Sequence, residues 1–183
     1  MHYGAIKKND IANGEGVRTT LFVSGCRNRC KGCFQPETWA FDYGAPFTQV
    51  TAEEIFSSLE NPYVRGLTVL GGEPMEPENQ RVLLPLLTEL KRRYPDKDVW
   101  LYTGNLYEEL IGSSPKHTDD TDSLLSCVDI LVDGPFVEDQ YRIGLRFRGS
   151  SNQRIIDMNK TRDTGTVVIW HGVSEDRKYG ENK

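Results

Sequence analysis

The hydrophobic pattern of this chain alternates between short strand-like runs and longer helix-like stripes. Val17, Thr19, Leu21 and Val23 alternate along a β-branched segment and predict a first strand over residues 16–24. Other short apolar runs predict strands over residues 66–70, 99–103, 128–132, 155–156 and 165–170. Residues 33–49 and 113–122 are rich in breakers or polar residues and are predicted to be loops.

Three segments have the features of helices. Thr51-Ala-Glu-Glu54 matches a capping box, which predicts that a helix begins with Thr51 as its N-cap. A stripe of leucines predicts a second helix that ends near Tyr94. Pro85 lies inside this stripe, so we expect it to kink the helix or to delay its start. A third, short helix is predicted over residues 107–111.

Strands and helices alternate along the chain, which predicts a parallel α/β sheet. A full eight-unit βα barrel typically takes about 250 residues, and this chain has 183. We therefore expect a single domain over residues 1–183, built as a partial, open barrel of parallel βα units. The charged segment over about 174–183 has no periodicity, and we expect it to fray.

The composition, with 37% hydrophobic and 27% charged residues, fits a soluble globular protein. No apolar run approaches the ~20 residues that a membrane span needs, and the N-terminus lacks the apolar segment of a signal peptide. The net charge of −5 argues against a general nucleic-acid binder. We expect a cytoplasmic protein, because a reducing compartment keeps ligand thiols free, with no membrane or nucleic-acid partner.

Three of the four cysteines fall within eight residues, in the string Cys26-Arg-Asn-Arg-Cys30-Lys-Gly-Cys33. They follow the first predicted strand, and active sites of parallel βα barrels are built at that end of the strands. Thiolates at this density are ligands for a soft metal. A four-iron cluster usually takes four cysteines, so three would leave one iron open for chemistry, as catalytic zinc keeps an open position.

Other interpretations of the three cysteines stay open on spacing alone. Zinc could be bound together with one of the three histidines, His2, His117 or His171, although zinc sites normally come as paired C-x2-C motifs. The cysteines could also be structural thiols, although a loop rich in Arg, Lys and Gly is a poor place to bury them. The fourth cysteine, Cys127, opens a predicted strand, and we interpret it and His171 as structural.

The C-x3-C-x2-C spacing is the cluster motif of the radical S-adenosylmethionine (SAM) enzymes, and the chain resembles that superfamily. The lead-in over residues 13–26 and the string Leu70-Gly71-Gly72-Glu73-Pro74 look like segments of the glycyl-radical-enzyme activases. Residues 132–136 and 148–154 are similar to one branch, the activators of anaerobic (class III) ribonucleoside-triphosphate reductase. In one departure, Gly32 stands where much of the superfamily has an aromatic residue, and Phe34 follows the third cysteine.

The resemblance implies a radical SAM oxidoreductase with a 4Fe–4S cluster on Cys26, Cys30 and Cys33, whose open iron chelates SAM. Reductive cleavage of SAM would give methionine and a 5′-deoxyadenosyl radical, which takes a hydrogen atom from a glycine of the partner reductase. A low-potential donor such as flavodoxin would supply the electron. No catalytic side chain is expected beyond the cluster and SAM. The SAM contacts are expected at predicted strand ends and in one loop, at Gly71, Gly72, Glu73, Thr103, Asp133, Ser150 and Asn152.

Two alternative functions remain at this stage. The first is an activase of another glycyl-radical enzyme, of the pyruvate formate-lyase type, with the same chemistry and a different partner. The second is a non-catalytic iron–sulfur electron-transfer protein, which would have a fully ligated metal and no dependence on SAM.

Overall fold

The computed structural model describes residues 1–172, so the predicted tail over 174–183 lies outside the described residues. The strands are β1 (His2–Asp10), β2 (Val17–Val23), β3 (Ala45–Pro46), β4 (Val64–Gly71), β5 (Asp98–Tyr102), β6 (Ile130–Asp133) and β7 (Arg154–Asp157). The α-helices are α1 (Gln49–Leu59), α2 (Pro77–Arg93), α3 (Tyr107–Leu110), α4 (Thr121–Ser126) and α5 (Met158–Thr164). Two 3-10 helices span Pro36–Trp39 and Glu138–Gln140.

All seven strands form one sheet, in the order β3-β1-β2-β4-β5-β6-β7. The central strands β2, β4, β5 and β6 are parallel neighbours, which confirms the predicted α/β class. The prediction of a parallel sheet is wrong at the edges, because β1, β3 and β7 pair in antiparallel fashion. Within residues 1–172 the end strands β3 and β7 do not pair with each other, so the sheet is open.

The two faces of the sheet have different surroundings, because successive side chains of a strand point to opposite faces. Leu21 of β2 and Leu67 of β4 are fully buried in one apolar core with Ile55 of α1 and Leu87 of α2. The opposite face lines a cavity, through Phe22, Leu70 and Tyr102. The helices therefore cover one face of the sheet, and the cavity lies on the other.

Helix α1 begins earlier than the sequence predicts. Its N-cap is Thr48, whose hydroxyl accepts the N–H of Thr51, while the Thr51 hydroxyl accepts the N–H of Thr48. Glu54, the expected partner in the capping box, instead pairs with Lys8 at 2.9 Å. The predicted cap was wrong because a threonine fills the place where the sequence pattern requires Glu or Gln.

Helix α2 starts at Pro77 and runs through Pro85, so the internal proline does not delay its start. Pro85 is on the exposed side of the helix, where water can solvate the carbonyl that loses its N–H partner. No helix among residues 1–172 is long and apolar enough to cross a membrane.

The hydrophobic pattern missed several peripheral elements. Strand β1 is half-buried or exposed along its length, so it lacks a clear alternation. The predicted loop over 33–49 contains a 3-10 helix and β3, and α5 follows β7 without a break. Cys127 was wrongly placed in a strand, because it is the C-cap of α4. Residues 165–170 contribute only an isolated bridge, between Ile156 and Ile169, to the part of the chain that is described.

Candidate metal and cofactor site

The carboxyl ends of β2, β4 and β5 meet at one edge of the sheet and open onto a cavity of about 700 Å³. The cysteine loop follows β2, the Gly-Gly-Glu turn ends β4, and Thr103 follows β5. Seven of the predicted site residues line this cavity, namely Cys26, Cys30, Cys33, Gly71, Gly72, Glu73 and Thr103. The structure thus brings the three segments together, while the role of each residue stays a prediction.

All three cysteines of the loop are free thiols. Cys26 is buried, whereas Cys30 and Cys33 are half-buried. Burial raises the pKa of Cys26 to about 11 and also raises the pKa of Cys30. These two thiols are therefore protonated at neutral pH in the free protein, and metal binding would displace their protons.

The donor set can be tested against the two metals that the spacing left open. No three His, Cys, Asp or Glu side chains among residues 1–172 are grouped to hold a single metal ion, as a closed zinc site requires. His117 bonds the Leu110 carbonyl through Nδ1 at 2.8 Å, and neither it nor His2 lines the cavity. An iron–sulfur cluster takes its thiolates on separate irons, so three thiols around one cavity fit it better.

The Gly-Gly-Glu turn packs closely on the chain that leads into the first cysteine. The N–H of Gly72 donates to the Val23 carbonyl at 2.7 Å, and that of Glu73 donates to the Gly25 carbonyl at 2.8 Å. Gly71 has φ +113°, and a Cβ there would lie 2.6 Å from the Val23 carbonyl oxygen. A Cβ on Gly72 would lie 2.7 Å from the carbonyl oxygen of Gly25. The glycines are therefore required by the packing of the turn itself, whatever ligand it borders.

Glu73 is a buried carboxylate that joins three segments of the site. Its Oε2 accepts hydrogen bonds from Asn28 Nδ2 at 2.7 Å, Gly104 N at 2.9 Å and Asn105 Nδ2 at 3.0 Å. Its Oε1 accepts the N–H of Met75 at 3.0 Å. Burial raises the pKa of Glu73, and the hydrogen bonds act in the opposite direction. Both oxygens are thus satisfied by the protein, and Glu73 fixes the cysteine loop relative to the ends of β4 and β5.

Sequence reasoning missed Asn28 and Asn105, the two amide partners of Glu73. Both residues have sequence positions from which a role in the site could have been predicted. Asn28 lies between the first two cysteines, and Asn105 follows the strand end at Thr103. An asparagine amide has two N–H donors, so it suits a position beside a buried carboxylate.

Asp133 does not line the cavity, although it ends β6 as predicted. It is fully buried, and its carboxylate accepts hydrogen bonds from both Nε and Nη2 of Arg154 and from the N–H of Tyr107. Arg154 also pairs with Glu108 on α3, at 2.7 Å. The carboxylate therefore ties β6 to β7 and α3.

Ser150 and Asn152 likewise have partners within the protein and do not line the cavity. The Ser150 hydroxyl accepts the N–H of Val137 at 3.1 Å, and Asn152 Nδ2 donates to the Pro135 carbonyl at 2.8 Å. The segment does reach the cavity, but through other residues, namely Arg148, Gly149 and Gln153.

An aromatic group lies beside the cysteines, where the sequence departs from the radical SAM pattern. Phe34 lines the cavity and is 67% exposed. The centroid of its ring lies 5.0 Å from the ring centroid of Phe136 and 5.9 Å from that of Tyr141. Gly32 has φ +71°, and a Cβ there would lie 2.8 Å from a carboxylate oxygen of Glu138. The positive φ disfavours an aromatic residue at position 32, and the Phe34 ring lies beside the cavity on the other side of Cys33.

Comparison with known proteins shows the family of this chain. Residues 12–156 match the family described as a 4Fe-4S single cluster domain. The anaerobic ribonucleoside-triphosphate reductase-activating protein of Vibrio cholerae is 41% identical over 157 residues, which cover 85% of this chain and 97% of that protein. The proteins of the same name from phage T4 and Escherichia coli K12 are each 37% identical over 155 residues. They cover 85% and 84% of this chain, and 93% and 96% of the relatives. The chain belongs to the family of the anaerobic ribonucleoside-triphosphate reductase-activating proteins.

Proposed function

We propose that this protein activates an anaerobic ribonucleoside-triphosphate reductase by reductive cleavage of SAM, which leaves a glycyl radical on the reductase. The observation that carries the proposal is that three free thiols in C-x3-C-x2-C spacing line one cavity with a Gly-Gly-Glu turn. The names of the relatives support the same partner. We propose that a low-potential donor of the flavodoxin type supplies the electron, and that the protein acts in the cytoplasm.

The fold supports this proposal. Four parallel strands carry helices on one face and a cavity on the other, and the sheet formed by residues 1–172 is open. We propose that this is a single domain with the partial, open βα barrel of the radical SAM enzymes. An open side has a use, because a large protein substrate could bring a loop to the cavity there.

The residues of the cavity have distinct tasks in the proposed reaction. Cys26, Cys30 and Cys33 would hold the cluster as thiolates, and the open iron and SAM supply the electron-transfer and radical chemistry when bound. The protein itself contributes binding, orientation and the exclusion of side reactions. Glu73 holds the cysteine loop against the strand ends, as its hydrogen bonds to Asn28 and Gly104 indicate.

The proposed role of each of the other predicted SAM-contact residues follows from its position relative to the cavity. Gly71, Gly72 and Thr103 line the cavity and would border SAM directly. Asp133, Ser150 and Asn152 would act through the segments that they hold, because the Asp133 carboxylate, the Ser150 hydroxyl and the Asn152 amide nitrogen are bonded to the protein outside the cavity lining.

The test uses anaerobically purified protein, reconstituted with iron and sulfide, reduced with dithionite and supplied with SAM. We expect 5′-deoxyadenosine and methionine, and we expect the yield to collapse in Cys26→Ala, Cys30→Ala and Cys33→Ala. Cys127→Ala is the matched control, because Cys127 is also a half-buried free thiol but lies at the end of α4, outside the cavity lining. A cysteine-loop variant that retains cluster-dependent cleavage would refute the proposal, and an intact cluster without cleavage would favour electron transfer.

A further inference from the structure

A second buried carboxylate, Glu76, contacts the cysteine loop. It is fully buried, and it is the N-cap of α2 through its backbone. Its Oε1 accepts the backbone N–H of Arg27 at 2.8 Å and the ammonium of Lys116, and its Oε2 accepts Arg27 Nη1 at 2.6 Å. Neither Glu76 nor Lys116 lines the cavity.

The contact with the backbone of Arg27 matters because this amide directly follows Cys26. On the N-terminal side of Cys26, its own backbone N–H donates to the Trp39 carbonyl at 3.2 Å. The peptide groups on both sides of the Cys26 Cα are therefore bonded to the protein. Cys26 is also the buried member of the three cysteines, so its position depends on these two anchors.

Lys116 belongs to the segment between α3 and α4, and it compensates the buried charge of Glu76. Its side chain is 11% exposed, and its carbonyl accepts a hydrogen bond of 2.6 Å from the fully buried Gln80. A buried ion pair is a weak source of stability, because the cost of desolvation cancels much of the attraction. It does fix geometry, because each charge is held at the position of its partner.

The Arg27 side chain has further partners besides Glu76. Its guanidinium is bonded to Glu78 at 2.6 Å and lies 4.3 Å from the centroid of the Phe41 ring, while 54% of the side chain is exposed. A substitution at Arg27 can therefore remove its side-chain contacts, including the one to Glu76 Oε2, and keep the backbone contact.

We propose that Glu76 is a positioning residue for the first cluster ligand, and that Lys116 holds the Glu76 carboxylate against the backbone of Arg27. This inference rests on the proposed cluster at Cys26, Cys30 and Cys33. Groups that orient metal ligands typically change metal affinity by about 10- to 100-fold when they are removed. Removal of Glu76 is expected to have an effect of that order on retention of the cluster.

The test measures the rate at which reconstituted protein loses iron to a chelator under anaerobic conditions. Glu76→Gln is expected to lose iron about tenfold faster or more, because a neutral amide loses the ion pair with Lys116 and the charge assistance of the hydrogen bond from the Arg27 N–H. Glu78→Gln is the matched control, because its carboxylate is bonded to the side chain of Arg27 and not to the backbone N–H. Arg27→Met keeps the backbone N–H and is expected to stay within about twofold of the wild type, since the backbone contact carries the effect.

Three further variants separate positioning from general stability, and they keep the test valid if Glu76→Gln does not fold. Lys116→Met is expected to accelerate iron loss and to alter the electron paramagnetic resonance signal of the reduced cluster, whereas Lys116→Arg restores both. Lys91→Met removes another half-buried ion pair, with Asp129, and is expected to lower the melting temperature without faster iron loss below it.

Three outcomes decide the matter. Faster iron loss in Glu76→Gln and Lys116→Met, but not in Glu78→Gln or Lys91→Met, supports the positioning role. A wild type that holds the cluster while Glu76→Gln loses iron no faster than Glu78→Gln overturns the role and leaves the proposed function intact. A wild type that takes up no cluster overturns both.

Discussion

Replacement of Glu73 by glutamine tests whether this carboxylate joins the three segments of the site. Oε2 accepts three donors and Oε1 accepts one. A glutamine can keep its oxygen toward the three donors, which turns its NH2 group toward the N–H of Met75, two donors 3.0 Å apart. The variant therefore loses one hydrogen bond outright and the charge assistance of three others.

The magnitude follows from these contacts. A buried donor left unsatisfied costs about 1–3 kcal/mol, and hydrogen bonds to a charged group exceed neutral ones by about 1 kcal/mol each. Relief of the buried charge, whose desolvation raises the pKa of Glu73, offsets part of this loss. We expect Glu73→Gln to lower the free energy of unfolding by about 2 kcal/mol, out of the ~5–15 kcal/mol typical of a domain.

Urea unfolding of the cluster-free protein, reduced and kept anaerobic, measures this difference directly. Glu53→Gln is the matched control, because Glu53 lies on α1 with a half-exposed side chain and pairs with Arg93 at 2.8 Å. We expect a much smaller change for this exposed pair, because solvent screens the attraction between its charges. Equal unfolding free energies for Glu73→Gln and Glu53→Gln would refute the conclusion that Glu73 joins the segments.

Three further predictions concern the turn, the ion pair at β6 and the cysteine loop. Gly72→Ala should lower the free energy of unfolding, measured in urea, by about 1–3 kcal/mol, because the added Cβ would meet the Gly25 carbonyl. The control Gly144→Ala should leave the free energy of unfolding unchanged, because no atom lies within 4 Å of its added Cβ. Asp133→Asn should lower the free energy of unfolding by about 3 kcal/mol, because it breaks a buried ion pair with Arg154. SAM affinity, measured by calorimetry, should stay within about twofold of the wild type. A much larger loss of affinity with a small loss of stability would contradict a purely structural role of Asp133. Arg27 lowers the pKa of Glu78 to about 2, so the stability that this pair contributes is present above about 4.5 and is lost as the pH falls toward 2. The difference in unfolding free energy between wild type and Glu78→Gln should therefore shrink over that range, and a constant difference would contradict the pairing.

The central strands were predictable because their physical signal is strong. β2, β4, β5 and β6 each contain a short run of apolar or β-branched residues, such as Leu21-Phe22-Val23 in β2 and Ile130-Leu131-Val132 in β6, as expected of buried parallel strands. The cysteine spacing and the Gly-Gly-Glu string each follow such a run, so their meeting at one sheet edge followed from strand direction alone. Strand β1 was missed, because half-exposed residues without alternation carry no comparable signal.

The partners of the site residues could not be predicted, because they depend on packing between segments far apart in sequence. Glu76 and Lys116 are 40 residues apart and had no distinguishing local pattern. Asp133 was expected to be a cofactor contact because it ends a strand at the right edge. The sequence could not reveal that Arg154, on the neighbouring antiparallel strand β7, occupies its carboxylate.

The most direct test of the central claim combines the protein with an anaerobic ribonucleoside-triphosphate reductase. The reconstituted protein is reduced, mixed with SAM and the reductase, and examined by electron paramagnetic resonance. The proposed function predicts a glycyl-radical doublet on the reductase, in step with the release of 5′-deoxyadenosine, and its absence when Cys26→Ala replaces the wild type. Cleavage of SAM without a glycyl signal would contradict the assignment of this partner, and an intact cluster without any cleavage would contradict the proposed chemistry.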